Sequence, residues 1–294
     1  MALRGLTFFT PTHTNRVKRR SNGMKKMSGC LIVLLLLLSS NTVRGKAEPI
    51  KSTSNLYEQN TMSVLWFQKS GEAKALYYQG YNIGKVRLDD ILNKRPKNKK
   101  SQPAIVLDID ETILDNSPYL SWFVLNGQGS PFDWSVWFNR GEAKALPGAI
   151  EFLRYADAKG VAIYYISNRM ERQKAATMKN LRKVGAPQVN QRHVLLQQPG
   201  EKGKEGRRQE VSKSNEIVLY FGDNLRDFSG FDNLSVSGRM EAVDKRKEDI
   251  GRSLIVFPNP MYGDWEEAIY NYDFRKTDKE KEKLRKINLQ SYTN

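Results

Sequence analysis

The stretch Ala104–Asn116, AIVLDIDETILDN, constrains this chain more than any other. AIVL has the length and composition of a core β-strand, and it delivers Asp108, Asp110 and Glu111 at its end. Carboxylates at the end of a buried strand are costly unless something cationic meets them.

The pattern recurs downstream. VAIYYISNR is a second apolar run, ending in Ser167 and Asn168; EIVLYFGDN is a third, ending at Asp223 with Asp227 close behind; SLIVFPNP reads as a last strand. His193–Leu196 has the make-up of a short strand. Between them lie helical stretches: PGAIEFLRYADAKG, with Pro147 near its first turn and Gly160 at its end, Arg172–Val184 stopping at Gly185, and a C-terminal helix from near Asp264. Strand–helix alternation predicts a Rossmann-like α/β fold, a parallel sheet covered on both faces. Sites in such sheets form at the carboxyl ends of the strands. If these strands are neighbours, four aspartates, a serine and an asparagine converge on one crevice.

Ahead of this core (residues 104–270), Leu56–Leu92 has broadly helical spacing with Gly71 and Gly80 as candidate breaks, and KRPKNKKSQP forms a basic linker, so residues 46–103 read as an N-terminal helical region. A Trp- and Phe-rich insert spans about 119–138, and together with the N-terminal helices it predicts a smaller helical subdomain. Residues 271–294 form a mixed-charge tail. Residues 1–45 read as a leader: Met24 begins a basic stretch, Leu31–Leu38 is apolar, and small polar residues follow, with cleavage after Gly45. Met24 is the better start, which sets residues 1–23 apart. The apolar core is shorter than the ~20 residues of a membrane-spanning helix; uncleaved, the leader would be a membrane anchor. The expected location is therefore periplasmic, outer-membrane-associated or extracellular.

Composition removes several functions. The net charge of +16 invites a nucleic-acid reading. The basic leader and the tail nevertheless lack the interleaved aromatics of a single-strand groove, so no nucleic-acid partner is expected. Cys30 is the sole cysteine and His13 and His193 are the sole histidines, which excludes intrachain disulfides, cysteine clusters and multi-histidine zinc sites. A Ser–His–Asp hydrolase would depend on His193, and no GxSxG accompanies it. The chemistry has to be built from carboxylates. Hard oxygen ligands suit Mg²⁺, and a carboxylate beside that ion is a competent nucleophile toward phosphorus. A second carboxyl two residues on can protonate the leaving alkoxide and then activate water. Ser167 and a lysine from Lys202–Lys204 could hold the phosphoryl oxygens.

DIDET, ISNR, KGKEGRR and GDNLRDF, in that order, resemble the four motifs of the haloacid-dehalogenase superfamily, and more narrowly those of its class C acid phosphatases, the lipoprotein-type 5′-nucleotidases. VLWFQKSGEAKALYYQGYN and FPNPMYGDWE extend the likeness, which spans roughly residues 60–270. The resemblance implies the haloacid-dehalogenase fold, Mg²⁺ as cofactor, a phosphomonoester substrate of nucleoside 5′-monophosphate type, and dimerisation. It also implies roles. Asp108 is nucleophile and metal ligand, Asp110 is general acid/base and offers its backbone carbonyl to the metal, and Asp223 is a metal ligand. Asp227 acts behind the metal or through water. Ser167, with Asn168, binds phosphate, and Lys204 matches the motif-three lysine, Lys202 being the fallback. Tyr119, Trp134, Trp137 and Tyr262 are candidates to stack on a base. One departure stands out: relatives carry a lipidated cysteine after the signal core, whereas Cys30 precedes it.

Each motif also has a plainer reading. Asp108 and Asp110 could form a calcium turn, Asp223–Asp227 and Ser167–Asn168 could cap helices, Lys204 could be solvated, and the insert's aromatics could be core. A catalytically silent binding or storage protein on the same fold is the alternative to an enzyme. Retention of all four aspartates favours the enzyme.

Overall fold

The structure is a computed structural model that describes residues 56–127 and 133–292; the leader, Cys30 and part of the insert lie outside these. AIVL lies within β1 (Gln102–Leu107), followed by β2 (Leu114–Asp115), β3 (Lys144–Ala145), β4 (Ala162–Met170), β5 (Val194–Gln197), β6 (Asn215–Gly222) and β7 (Leu254–Val256). Five strands form one parallel sheet in the order β5-β4-β1-β6-β7. The three strand ends that carry the polar groups are therefore neighbours, with β1 at the centre. The chain steps from β1 outward to β4 and β5, then crosses to β6 and β7 on the other side. That reversal opens the crevice at the carboxyl edge.

The helices are α1 (Thr61–Lys69), α2 (Gly71–Lys94), α3 (Ser117–Asn126), α4 (Trp134–Arg140), α5 (Ala149–Ala158), α6 (Lys174–Lys183), α7 (Glu205–Ser212), α8 (Val236–Lys245), α9 (Asp264–Ile269) and α10 (Asp278–Ile287). Side chains alternate across β1 as the pleat requires. Ile105 and Leu107 join the larger core with Tyr81 of α2 and Phe152 of α5, while Ala104 and Val106 pack with Val211 of α7. Both faces are covered, which explains why β1 reads as an unbroken apolar run.

The N-terminal helical region breaks at Ser70, whose hydroxyl accepts from Ala73 N and caps α2. Gly80 does not break the helix. A Cβ there would sit 2.4 Å from the Phe257 ring, and one at Gly84 would sit 2.6 Å from the Phe221 ring. These glycines let α2 lie close on the aromatic layer of the sheet. The tail contains α10, whose Arg285 donates to Tyr270 Oη and to the Leu56 carbonyl and pairs with Glu266.

The insert enters between β2 and β3, which pair antiparallel at Leu114↔Ala145 and Asp115↔Lys144. α3 and α4 thus leave and return through one narrow ladder. Among the described residues no helix is long and apolar enough to cross a membrane.

Candidate active site

Beyond Leu107 the chain stays on the β6 ladder for one more residue, with Asp108 N donating to the Phe221 carbonyl at 2.9 Å. It then turns tightly. Ile113 N and Leu114 N both bond the Ile109 carbonyl, and Glu111 adopts φ 54° at the turn. A left-handed Glu is strained, and α2 holds the turn: Tyr77 Oη donates to the Glu111 carbonyl and Tyr81 Oη to the Thr112 carbonyl at 2.7 Å. The turn projects Asp108 and Asp110 into a crevice of about 390 Å³.

Asp108 lies in an acidic half. Carboxylate oxygens of Asp108, Asp223 and Asp227 fall within 4.8 Å of one another, and Asp227 belongs to this cluster as fully as Asp223 does. Gly222 makes the arrangement possible, since a Cβ there would meet Asp227 Oδ2 at 2.3 Å. Thr112 Oγ1 donates to Asp223 at 3.1 Å and Asn259 Nδ2 does so at 2.9 Å. Lys204 is the cation that meets this cluster. Its buried ammonium donates to Asp227 at 2.6 Å and to Asp108, while Lys202 lines a separate recess with Glu201 and Gln197. One ammonium does not neutralise three carboxylates. Burial, outweighing Lys204 and aided by Asp227 and Asp110, pushes the Asp108 carboxyl up to about 7; burial and then Asp227 and Asp108 raise Asp223 well above the ordinary range. Burial alone would lower the Lys204 ammonium, yet Asp108 and Asp227 raise it. An all-oxygen cluster with excess negative charge fits a divalent cation. Asp108, Asp223 and Asp227 are the side chains that would hold one.

Asp110 faces the other way. The Arg169 guanidinium contacts it through Nε at 3.1 Å and Nη2 at 2.8 Å, Ser167 Oγ donates at 3.0 Å, and Asn116 Nδ2 donates at 2.8 Å. Arg169 is buried, stacks 3.8 Å over the Phe138 ring and donates to Thr177. Burial alone would raise the Asp110 carboxyl, but Arg169, Asn116 and Ser167 outweigh it and hold the carboxyl below its ordinary value.

The basic motif after β5 braces the loops. Arg207 donates to the Ser167 carbonyl at 2.6 Å, to Asn168 Oδ1 at 3.3 Å and to the Gly203 carbonyl at 2.7 Å. Arg208 donates to the Asp227 carbonyl at 3.0 Å. Two turns that the sheet leaves separate are thereby locked to Lys204.

Of the aromatic candidates, Trp134 and Tyr262 line the crevice together with Phe138, their ring centroids 5.5 Å apart. Tyr119 packs on Trp134 and Trp137 at 5.2 and 6.1 Å and is not among the lining residues; Trp137 turns its indole N–H to Asn116 at 2.7 Å. Asn168 lines the crevice, while Ser167 is fully buried beneath Asp110. His193 stacks on Tyr164, away from the site. Sequence reasoning missed Asn116, Thr112, Arg169 and Asn259. Arg169 stood inside the ISNR motif and Asn116 closed the opening stretch, but nothing local marks an arginine whose partner lies 59 positions away or an asparagine whose Asp110 contact depends on a turn.

Two carboxyls with opposite surroundings, one metal-ready and one held by donors, suit a nucleophile and a proton carrier. Known proteins resemble the chain along most of its length. The profile of the HAD superfamily, subfamily IIIB (acid phosphatase), matches residues 37–265. Two structures of the class C acid phosphatase from Bacillus anthracis, one with tungstate bound, are each 55% identical to this chain; each covers 81% of it and is covered over 100% of its own length, with TM-scores of 0.79 and 0.78. Acid phosphatase 1 of Solanum lycopersicum is 22% identical over 230 residues, 73% of this chain and 84% of that protein.

Proposed function

The chain belongs to the acid phosphatases of HAD subfamily IIIB and is a phosphoric monoester hydrolase; from that premise we propose that it is an exported, Mg²⁺-dependent enzyme acting on nucleoside 5′-monophosphates through an aspartyl-phosphate. The observation that carries this reading is the meeting of Asp108, Asp223 and Asp227 within 4.8 Å, with Lys204 donating to Asp108 and Asp227 and Asp110 two residues away on its own donors.

An Asp108 oxygen attacks phosphorus and the P–O bond to the leaving group breaks. Asp110 passes a proton to the leaving oxygen, then takes one from the water that attacks the acyl phosphate, freeing phosphate and restoring Asp108. Lys204 and the Ser167–Asn168 turn orient the phosphoryl oxygens. Asp108, Asp223, Asp227 and the Asp110 backbone carbonyl would hold Mg²⁺, which when bound offsets repulsion between the anionic carboxylate and the anionic ester. The first step needs Asp110 in its protonated form, a form that its donors disfavour in the free protein. Trp134 and Tyr262 supply ring faces for a base, with Tyr119 and Trp137 behind them. The tungstate in the Bacillus anthracis protein is an oxyanion of phosphate-like shape, which supports the substrate class.

Phosphate release from AMP, nicotinamide mononucleotide and p-nitrophenyl phosphate, with Mg²⁺, with EDTA and with Asp108→Asn, tests the reading. Turnover that needs metal and disappears in the variant upholds it, and p-nitrophenyl phosphate outrunning both nucleotides refutes the nucleotide preference. Sequencing the mature amino terminus tests residues 1–45 as a cleaved leader, with the core at 104–270, and sedimentation tests the homodimer.

A further inference from the structure

Asn116, fully buried just before α3, links the insert (α3 and α4), the roof of the crevice, to the acid–base carboxyl. A buried primary amide has two N–H groups and a carbonyl to satisfy without water. Here Nδ2 donates to Asp110 Oδ1 at 2.8 Å and to Glu111 Oε2 at 3.2 Å, and Oδ1 accepts from Trp137 Nε1 at 2.7 Å. The Asn116 backbone N–H donates to Glu111 Oε1 at 2.7 Å, and Tyr262 Oη donates to Glu111 Oε2. An indole nitrogen only donates and an ionised carboxylate only accepts. The amide therefore has one orientation; turned by 180°, it would face N–H to N–H and oxygen to carboxylate.

We propose that Trp137 and Asn116 are positioning residues: the indole N–H fixes the Asn116 amide, and the amide fixes the rotation of the Asp110 carboxyl toward the leaving-group oxygen. This rests on Asp110 being the group that serves that oxygen. The other donors to Asp110, Arg169 and Ser167, come from β4 and hold it from the sheet side. Asn116 is the contact that ties it to the roof, so α4 sets the acid–base geometry as well as covering the crevice. Trp137 contributes through its N–H rather than its ring face.

The test compares kcat/KM, which reports the steps through phosphoryl transfer, for a small alkyl phosphate and for p-nitrophenyl phosphate. An alkoxide needs a proton as it leaves, whereas p-nitrophenolate is stable as an anion and scarcely does. Trp137→Phe keeps the ring and removes the N–H; alkyl phosphate turnover is expected to fall about tenfold while the aryl ester changes by less than about threefold. Asn116→Ala is expected to show the same split more strongly, and either folded variant suffices. Equal losses on the two esters, or a greater loss on the aryl ester as a stacking role requires, would overturn the proposal. Wild-type protein inert toward both esters would overturn the phosphatase reading, and the proposal with it.

Discussion

Asp108 and Asp110 are separated by one residue and occupy opposite environments. Asp108 shares its half of the crevice with Asp223 and Asp227 and a single ammonium. Asp110 meets a guanidinium, an amide and a hydroxyl. Alternation along an extended chain turns successive odd and even residues apart, but these two are both even; Asp108 is still on the β6 ladder, whereas Asp110 lies within the turn closed on the Ile109 carbonyl, and they meet different partners. The acidic half is electrostatically unfinished and gains from a cation. The Asp110 half is complete within the protein.

Removing the proposed nucleophile should have the largest effect. Asp108→Asn is expected to lower phosphate release by about 10³-fold or more; substantial residual turnover would mean that the two halves have been assigned the wrong way round. Arg169→Met comes next. It leaves Asp110 buried without its cation, a loss of about 3–5 kcal/mol in denaturant unfolding, and Mg²⁺ should not restore it. Lys204→Met should also destabilise the protein, yet Mg²⁺ should recover much of that loss, because the cluster it exposes is the one suited to metal. Equal rescue of both variants would erase the distinction between the halves.

Asp223→Asn should raise the melting temperature of metal-free protein by a few degrees at neutral pH and abolish the further rise produced by Mg²⁺. The sign follows from its raised carboxyl: the folded state binds the proton more tightly than the unfolded state, so ionising Asp223 lowers stability as pH rises. Glu267 on α9 gives the smallest effect and acts as a control. Burial, with Asp264 beside it, raises its carboxyl to about 7. Stability should therefore fall as pH rises from about 4.5 to about 7. Glu267→Gln should be more stable than wild type above that window and no different below it, irrespective of Mg²⁺, when melting is followed against pH.

The strands and the clustered aspartates were legible because both are local. AIVL, VAIYYI and EIVLYF announce buried strands by composition alone, and the polar groups sit at their ends. Strand order was not local information; neighbourhood had to be assumed for the aspartates to meet. Gly80 misled because a glycine that breaks a helix and one that admits a ring look alike until Phe257 is placed against it. The Asp110 half was hardest to read. Arg169 lies 59 residues from Asp110, and Trp137 lies 21 from Asn116, so no periodicity records either pair. Arginine in a basic chain draws no attention, and a buried asparagine has no signature.

The doorway through which the insert passes bears on how this enzyme could be diversified. With Leu114↔Ala145 and Asp115↔Lys144 clamped, the length of chain between them can vary at an entropic cost that grows only logarithmically, and the central sheet need not adjust. Grafting another enzyme's cap onto this scaffold is therefore a realistic route to new specificity, on one condition. The incoming cap must present an N–H to Asn116 where Trp137 now does, or the transplanted enzyme will bind its new substrate and turn it over slowly.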